Sequence, residues 1–184
     1  DRKMIGVDTL TSSVTLGMLI IDAAKQRDAG LSIEELVQWV EDNKFKYNQW
    51  ATVETLKYLK EAGRIKAGKA FFGDIIGVKP IFISDRKGNN FAIMKERGSK
   101  KALLKLIECV KDTIDKDKCD TVFIGQGDNM EGAEFLAKRI EEELGVKTCI
   151  QWIGPIVGTT CGPGIIATFN YGKEVTRYDG DGIK

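Results

Sequence analysis

Between Thr121 and Trp152 the chain reads strand, helix, strand with almost no slack. Thr121-Val122-Phe123-Ile124-Gly125 is an apolar run of strand length. Ala133, Leu136, Ala137, Ile140 and Leu144 then recur at helical spacing, and Lys147-Thr148-Cys149-Ile150-Gln151-Trp152 forms a second strand. This order indicates a parallel βαβ unit with a right-handed crossover. Such a unit needs more sheet beside it and helices over it, so the expected class is α/β: a mixed β-sheet covered by helices.

The remaining segments supply that sheet. Met4-Ile5-Gly6-Val7 reads as a short opening strand. Thr11, Ser12 or Ser13 caps a helix that carries Leu16, Leu19, Ile20 and Ala23 on one face and ends near Gly30. Ser32-Ile33-Glu34-Glu35 is a capping box followed by Leu36, Val37 and Val40. Phe45, Tyr47 and Gln49 alternate as in a strand; Val53, Leu56 and Leu59 return to helical spacing and stop at Gly63. Residues 67–76 read as a short helix closed by Gly77. The runs 79–84 and 90–94 form a hairpin through Asp85-Arg86-Lys87-Gly88-Asn89. Ala102, Leu103, Leu106, Ile107, Val110 and Ile114 trace an amphipathic helix, and Ile165 to Phe169 a last strand.

Composition removes several function classes. A net charge of +1 gives no electrostatic footprint for nucleic acid. With no histidine and four cysteines that form no Cys-x-x-Cys pair, a structural zinc site is not expected, and no metal is assigned. Scattered thiols in apolar contexts fit a reduced, cytoplasmic protein. No run is apolar enough to span a bilayer, so stable membrane insertion is not expected. The chain opens at Asp1 without an initiator Met and leads directly into apolar residues, so further material upstream is expected.

Three segments carry chemistry. Gly63-Arg64-Ile65 follows a helix end and holds a guanidinium fork suited to a carboxylate or phosphate. Asp8 to Ser13 leads into a helix start, where Thr9 and Ser12 are candidate ligand groups beside free N–H donors. Gly158-Thr159-Thr160-Cys161-Gly162-Pro163-Gly164 reads as a tight turn with hydroxyls, a thiol and backbone N–H groups, an anion nest in the making. Its plain alternative is a connection between strands. Cys161 lacks a histidine or adjacent lysine to activate it, which argues against a nucleophile. Glu96 to Lys101 is a basic helix start able to hold phosphate or simply be solvated. Gly125 to Asn129 lacks a complete dinucleotide fingerprint, and Asp179 to Gly182 lacks calcium-loop spacing.

Taken in order, the pieces resemble the DegV family of bacterial lipid-binding proteins. They are Asp8-Thr9 before a serine-rich helix start, Thr55-Leu56-Lys57-Tyr58-Leu59-Lys60-Glu61-Ala62-Gly63-Arg64-Ile65, Gly77-Val78-Lys79-Pro80-Ile81, Arg97-Gly98 before Lys100-Lys101-Ala102, and Ile153-Gly154-Pro155-Ile156-Val157-Gly158 before the Gly-Pro-Gly loop. The resemblance spans nearly the whole chain. It implies a cytoplasmic protein that binds one long-chain fatty acid as its ligand, with no cofactor. The acyl chain would lie in an apolar tunnel and the carboxylate in a polar network. A separate fatty-acid kinase subunit of the dihydroxyacetone-kinase type would phosphorylate it, so the chain itself would not be the catalyst.

Carried over by position, Arg64 looks like the arginine of the head-group network, and Thr159, Thr160, Cys161, Gly162 and Gly164 look like the family's head-group loop, joined by Thr9 and Ser12. Thr160 stands where that loop has histidine, and Cys161 where it has threonine. The family's N-terminal serine-rich segment has no counterpart here. Residues 1–184 are therefore expected to be a C-terminal lipid-binding domain, whose first strand and helix meet an N-terminal domain absent from this chain. Phe71, Phe72, Ile75 and Ile76 are expected at the tunnel or domain interface. The rival expectation is an interaction domain that docks a partner kinase without productive lipid binding.

Overall fold

The computed structural model describes residues 2–66 and 77–174. The helix read over 67–76, with Phe71, Phe72, Ile75 and Ile76, lies outside the described residues, as do the residues from 175 onward. Helices α1 (Ser13–Asp28) and α2 (Ile33–Asn43) lead through a 3-10 turn (Lys44–Lys46) to β1 (Tyr47–Thr52). Then follow α3 (Lys57–Glu61), β2 (Ile65–Lys66), β3 (Val78–Ser84), β4 (Asn90–Arg97) and α4 (Ser99–Thr113). The βαβ unit is β5 (Thr121–Gly127), α5 (Met130–Leu144) and β6 (Lys147–Trp152), after which come α6 (Pro155–Cys161) and β7 (Ile165–Tyr171).

The strands form one seven-stranded mixed sheet in the order β2-β4-β3-β1-β7-β5-β6. β5 and β6 pair in parallel from Thr121↔Lys147 to Gln126↔Trp152, as the crossover helix between them requires. β7 enters antiparallel between β1 and β5 and joins the βαβ unit to the β3–β4 hairpin. The hairpin turn is organised by Asp85, whose carboxylate accepts from the N–H groups of Lys87 and Asn89, both at 2.8 Å. The capping box at α2 is present: Ser32 and Glu35 bond each other's backbone N–H.

The sheet is covered on both faces, and strand alternation decides which residue faces which layer. Trp50, Ile81, Ile83, Val122, Ile124 and Ile166 face α4 and α5, packing against Leu106, Val110, Leu136 and Ile140. Tyr47, Ala51, Phe82, Ala167 and Phe169 face the other way, toward Leu19 of α1, Leu59 of α3 and Cys161 of α6. Side chains such as Leu106, Leu136 and Ile140 are fully buried, each contributing about 1.5–3 kcal/mol relative to exposure.

Four expectations are corrected. Met4 to Val7 is not a strand; Met4 is 90% exposed, and this segment pairs with neither sheet edge. Phe45 lies in the 3-10 turn, so the strand begins two residues later. The helix placed from Val53 starts only at Lys57, because Val53 continues the buried end of β1. On α1 the buried residues are Thr15, Met18 and Leu19, whereas Ile20 and Ile21 are 57% and 54% exposed. Apolarity alone did not mark the inward face there, because two adjacent isoleucines point away from this sheet.

Candidate functional site

On the α1–α6 side of the sheet lies a cavity of about 490 Å³, within the usual range for small-molecule sites. Its floor comes from alternate residues of three adjacent strands: Gln49 and Ala51 of β1, Phe82 of β3, and Ile165, Ala167 and Phe169 of β7. Ile153 and the α6 residues Ile156, Val157, Thr160 and Cys161 form the facing wall. One rim is polar: Arg64, Ser84, Lys87 and Asn90 meet there with the loop from Leu10 to Ser13. An apolar slot with a cationic rim suits an elongated apolar ligand with an anionic end.

The 8–13 loop holds an unusual backbone. Leu10 and Ser13 have φ of 54° and 57°, a region that side-chain-bearing residues seldom occupy. Asp8 Oδ1 accepts from the Leu10 N–H at 2.9 Å, Lys44 Nζ donates to the Asp8 carbonyl at 3.0 Å, and Ser84 Oγ donates to the Leu10 carbonyl at 3.4 Å. These bonds fix the loop across the mouth.

Arg64 is exposed on the rim. Its N–H bonds the Leu59 carbonyl at 2.9 Å, closing α3 with Gly63 at φ 62°. That closure directs the chain into β2, beside the hairpin tip, with Ile65 opposite Asn90.

The segment from Gly158 is not the turn expected from its composition. Pro155 starts α6, where a missing N–H costs nothing, and residues through Cys161 are helical. The Gly158 N–H bonds Gly154 O at 2.9 Å, and the Gly162 N–H bonds Gly158 O at 2.8 Å. Thr159 Oγ1 donates to Ile156 O at 3.0 Å, and Thr160 Oγ1 to Val157 O at 2.8 Å. The hydroxyl protons and these backbone donors are thus spent inside the helix, and the donor nest does not form. What Thr160 presents to the cavity is a hydroxyl oxygen with spare lone pairs.

Gly162 and Gly164 end the helix with φ of 80° and 82°. The Gly164 N–H bonds Gly127 O at 2.7 Å, tying the turn to β5. Cys161 is buried, and burial pushes its thiol above the ordinary range, leaving an inert packing group.

The cavity therefore gathers Arg64, Ser12, Thr160 and Cys161 from distant parts of the sequence. Thr9, Thr159, Gly162 and Gly164 do not line it; the glycines act by shaping the turn. Sequence reasoning missed Gln49, Ser84, Lys87 and Asn90 as lining groups. Gln49 carried a usable signal, since its alternation with Tyr47 put a polar side chain on an otherwise apolar face.

A larger cleft of about 720 Å³ lies around the starts of α4 and α5, lined in part by Glu54, Tyr58, Lys100, Phe135 and Pro163. It contains none of the expected site residues except Gly164. The basic helix start at residues 96–101 is answered from within: Glu54 pairs with Lys79 and accepts from Ser99 Oγ at 3.5 Å. That carboxylate offsets the positive end of α4. Asn129 likewise spends its side-chain oxygen capping α5 at the Gly132 N–H, 3.1 Å away. The smaller cavity combines an apolar floor with a cationic rim and gathers Arg64, Ser12, Thr160 and Cys161, and is the better candidate. Among the described residues there is no cluster of three or more side chains able to hold a metal, and no helix long and apolar enough to cross a membrane.

Comparison with known proteins places these features in context. The family model described as uncharacterised protein, DegV family, matches residues 1–173. A DegV domain-containing protein of Clostridium perfringens is 35% identical over 167 residues, which are 90% of this chain and 57% of that relative. The chain thus spans less than two thirds of the length of such relatives. The solved structure of a fatty acid binding DegV family protein from Streptococcus agalactiae superposes with a TM-score of 0.83 at 26% identity, covering 92% of this chain and 60% of that one. The fatty acid kinase B3 protein of Streptococcus pneumoniae, loaded with linoleic acid, shares the fold at a TM-score of 0.77 and 18% identity, over 93% of this chain and 60% of its own.

Proposed function

The chain belongs to the DegV family, and from that premise we propose that it binds one long-chain fatty acid in the cavity between the sheet and α6. The observation that carries the reading is the floor of Ala51, Phe82, Ala167 and Phe169 ending at a rim that holds Arg64. The acyl chain gains about 0.8 kcal/mol per buried CH₂, so a long chain supplies most of the affinity. Arg64 supplies a charge-assisted bond to the carboxylate of about 1.5–3 kcal/mol. Arg64 pairs with no carboxylate among the described residues, which leaves its fork available. Ser12 lies in the rim loop and Thr160 in the wall that faces the floor, while Gly162 and Gly164 shape the turn that ends α6.

In this reading the protein presents the carboxylate to a separate fatty-acid kinase subunit and is not itself the catalyst. The fold shared with the fatty acid kinase B3 protein of Streptococcus pneumoniae supports that role, as does a buried Cys161 whose thiol is held in its neutral form. Ile20 and Ile21, exposed on α1, would face the portion by which longer relatives exceed this chain. Four free cysteines suit a cytoplasmic setting. Mass spectrometry of an organic extract of the purified protein tests the proposal. About one fatty acid per chain is expected; no bound acyl lipid, together with no uptake of offered oleate, overturns it.

A further inference from the structure

The cavity floor is divided into a polar and an apolar row. Ser84 of β3 stands opposite Asn90 of β4, and Asn90 stands opposite Ile65, the residue after Arg64. Continuing the β1–β3 ladder from Ala51↔Phe82 by two residues sets Gln49 at the level of Ser84. Asn90, Ser84 and Gln49 thus form one row across three neighbouring strands, leading inward from the Arg64 rim, and all three line the cavity. At the usual strand spacing the row is about 10 Å long. Beside it runs the apolar row of Phe82, Ala51 and Ala167, paired across β3, β1 and β7.

Both ends of the polar row have unused hydrogen-bonding atoms. Gln49 is only 7% exposed, and its Oε1 accepts from Thr15 Oγ1 at 3.4 Å. Its Nε2 makes no hydrogen bond among the described residues and, unlike the nitrogen of Gln126, is not sealed away from the space beside it. The half-buried Asn90 amide has no side-chain hydrogen bond among the described residues. At the rim, neither Arg64 nor Lys87 pairs with a carboxylate among the described residues. Asp8 is the one acidic side chain lining the cavity, and its Oδ1 accepts from the Leu10 N–H. The rim therefore keeps a net positive charge.

A free fatty acid uses little of this row. Its carboxylate occupies the Arg64 end, and its alkyl chain strips Asn90 and Gln49 of water and returns nothing. Neutral amides spaced along a row that starts at two cations suit a neutral polar linker between an anion and a tail. We propose that the cavity also takes an acylglycerol phosphate, a lysophosphatidate. The proposal rests on the fatty-acid reading for the acyl half of the cavity. The phosphate, with a charge of about −1.5 to −2, lies between Arg64 and Lys87. The glycerol hydroxyl donates to Asn90 Oδ1 or accepts from its Nδ2, and the ester carbonyl accepts from Gln49 Nε2. The acyl chain then turns onto Phe82, Ala51 and Ala167. Cations, amide and amide follow one another along the floor as anion, hydroxyl and carbonyl do along the lipid.

Displacement of a fluorescent fatty acid by oleate, oleyl phosphate and 1-oleoyl lysophosphatidate tests this on the full chain. Lysophosphatidate should bind about tenfold more tightly than oleyl phosphate, which has the anion and the tail but no glycerol ester. Gln49→Leu should bring that ratio toward one, and Asn90→Ala should reduce it in the same direction and serves if Gln49→Leu does not fold. Lys87→Ala should weaken both phosphates about tenfold relative to oleate. Equal binding of the two phosphates to the wild-type protein overturns the linker row, as does an unchanged ratio in folded Gln49→Leu and Asn90→Ala. Displacement by oleate but not by lysophosphatidate overturns the inference alone and leaves the fatty-acid reading standing. Failure of the fluorescent acid to bind at all overturns that reading, and the inference with it.

Discussion

Gly162 rests directly on the ring of Tyr58: a β-carbon added there would lie 2.2 Å from Tyr58 Cδ2. Two residues on, a β-carbon at Gly164 would meet Glu54 Cγ at 2.3 Å. The turn after α6 is thus pressed against the segment that follows β1, which sets α6 at a fixed height above the cavity floor.

Gly162→Ala should destabilise the protein by about 2–4 kcal/mol, combining steric overlap with a φ of 80° that favours glycine. At this chain size that corresponds to roughly 4–16 °C in Tm. Thermal unfolding followed by circular dichroism measures it. A Tm within a degree of wild type would show that Tyr58 yields freely and that the turn does not fix α6.

Arg64→Ala should weaken retention of oleate by about 10- to 100-fold, the loss of one charge-assisted bond to the carboxylate. Arg64→Lys should recover only part, since an ammonium cannot form the two-pronged contact. Equilibrium binding with a fluorescent fatty acid reads both. Unchanged affinity in Arg64→Ala would remove this residue from the head-group site.

Ala167→Phe tests the floor independently of the rim. Ala167 is 3% exposed on its side of the sheet and lines the cavity. A phenyl ring there should fill the space proposed for the acyl chain and abolish uptake. Because it grows into a void, the stability cost should stay at or below about 1–3 kcal/mol. A folded variant with full oleate uptake would place the acyl chain elsewhere.

Stability should fall on the alkaline side. Burial raises the thiols of Cys119 and Cys161 and pushes Cys109 up to about 12. Unfolded thiols titrate near about 8.5, so above that pH the unfolded chain holds fewer protons than the folded one, and unfolding gains. The contribution is fully present below about pH 8.5 and is lost progressively toward pH 12. Urea denaturation across that window should show the decline, and Cys109→Ala, compared with its own neutral-pH stability, should show a shallower one. An identical slope in the variant would assign the alkaline loss to other groups.

The parallel pair of β5 and β6 and its crossover helix were readable because their signals are local: short apolar runs, one helical period, a cap. The α4 helix and the β3–β4 hairpin were readable for the same reason. The helix at Pro155–Cys161 was not, since seven residues with a proline, a glycine and two threonines have little intrinsic helicity. The turn that closes it is held by contacts of Gly162 and Gly164 with Tyr58, Glu54 and Gly127, far off in sequence. The direction of Ile20 was hidden because periodicity identifies an apolar face but not what lies opposite. Arg64, Ser12 and Thr160 were legible through ordered motifs and do line one cavity. Gln49 was not, because a buried polar side chain acquires meaning only from the space beside it, and that space is made by three strands meeting in register.

Ala51 and Ala167 face one another across β1 and β7. Both are side chains on a hydrogen-bonded ladder, so either can gain carbon atoms without moving a backbone bond. The rim, by contrast, includes the strained 8–13 loop and the Gly63 turn ahead of Arg64, which tolerate little change. On the proposed fatty-acid reading, a lineage adapting to new lipids would change the size of the bound tail through these two alanines while the grip on the head group stayed constant.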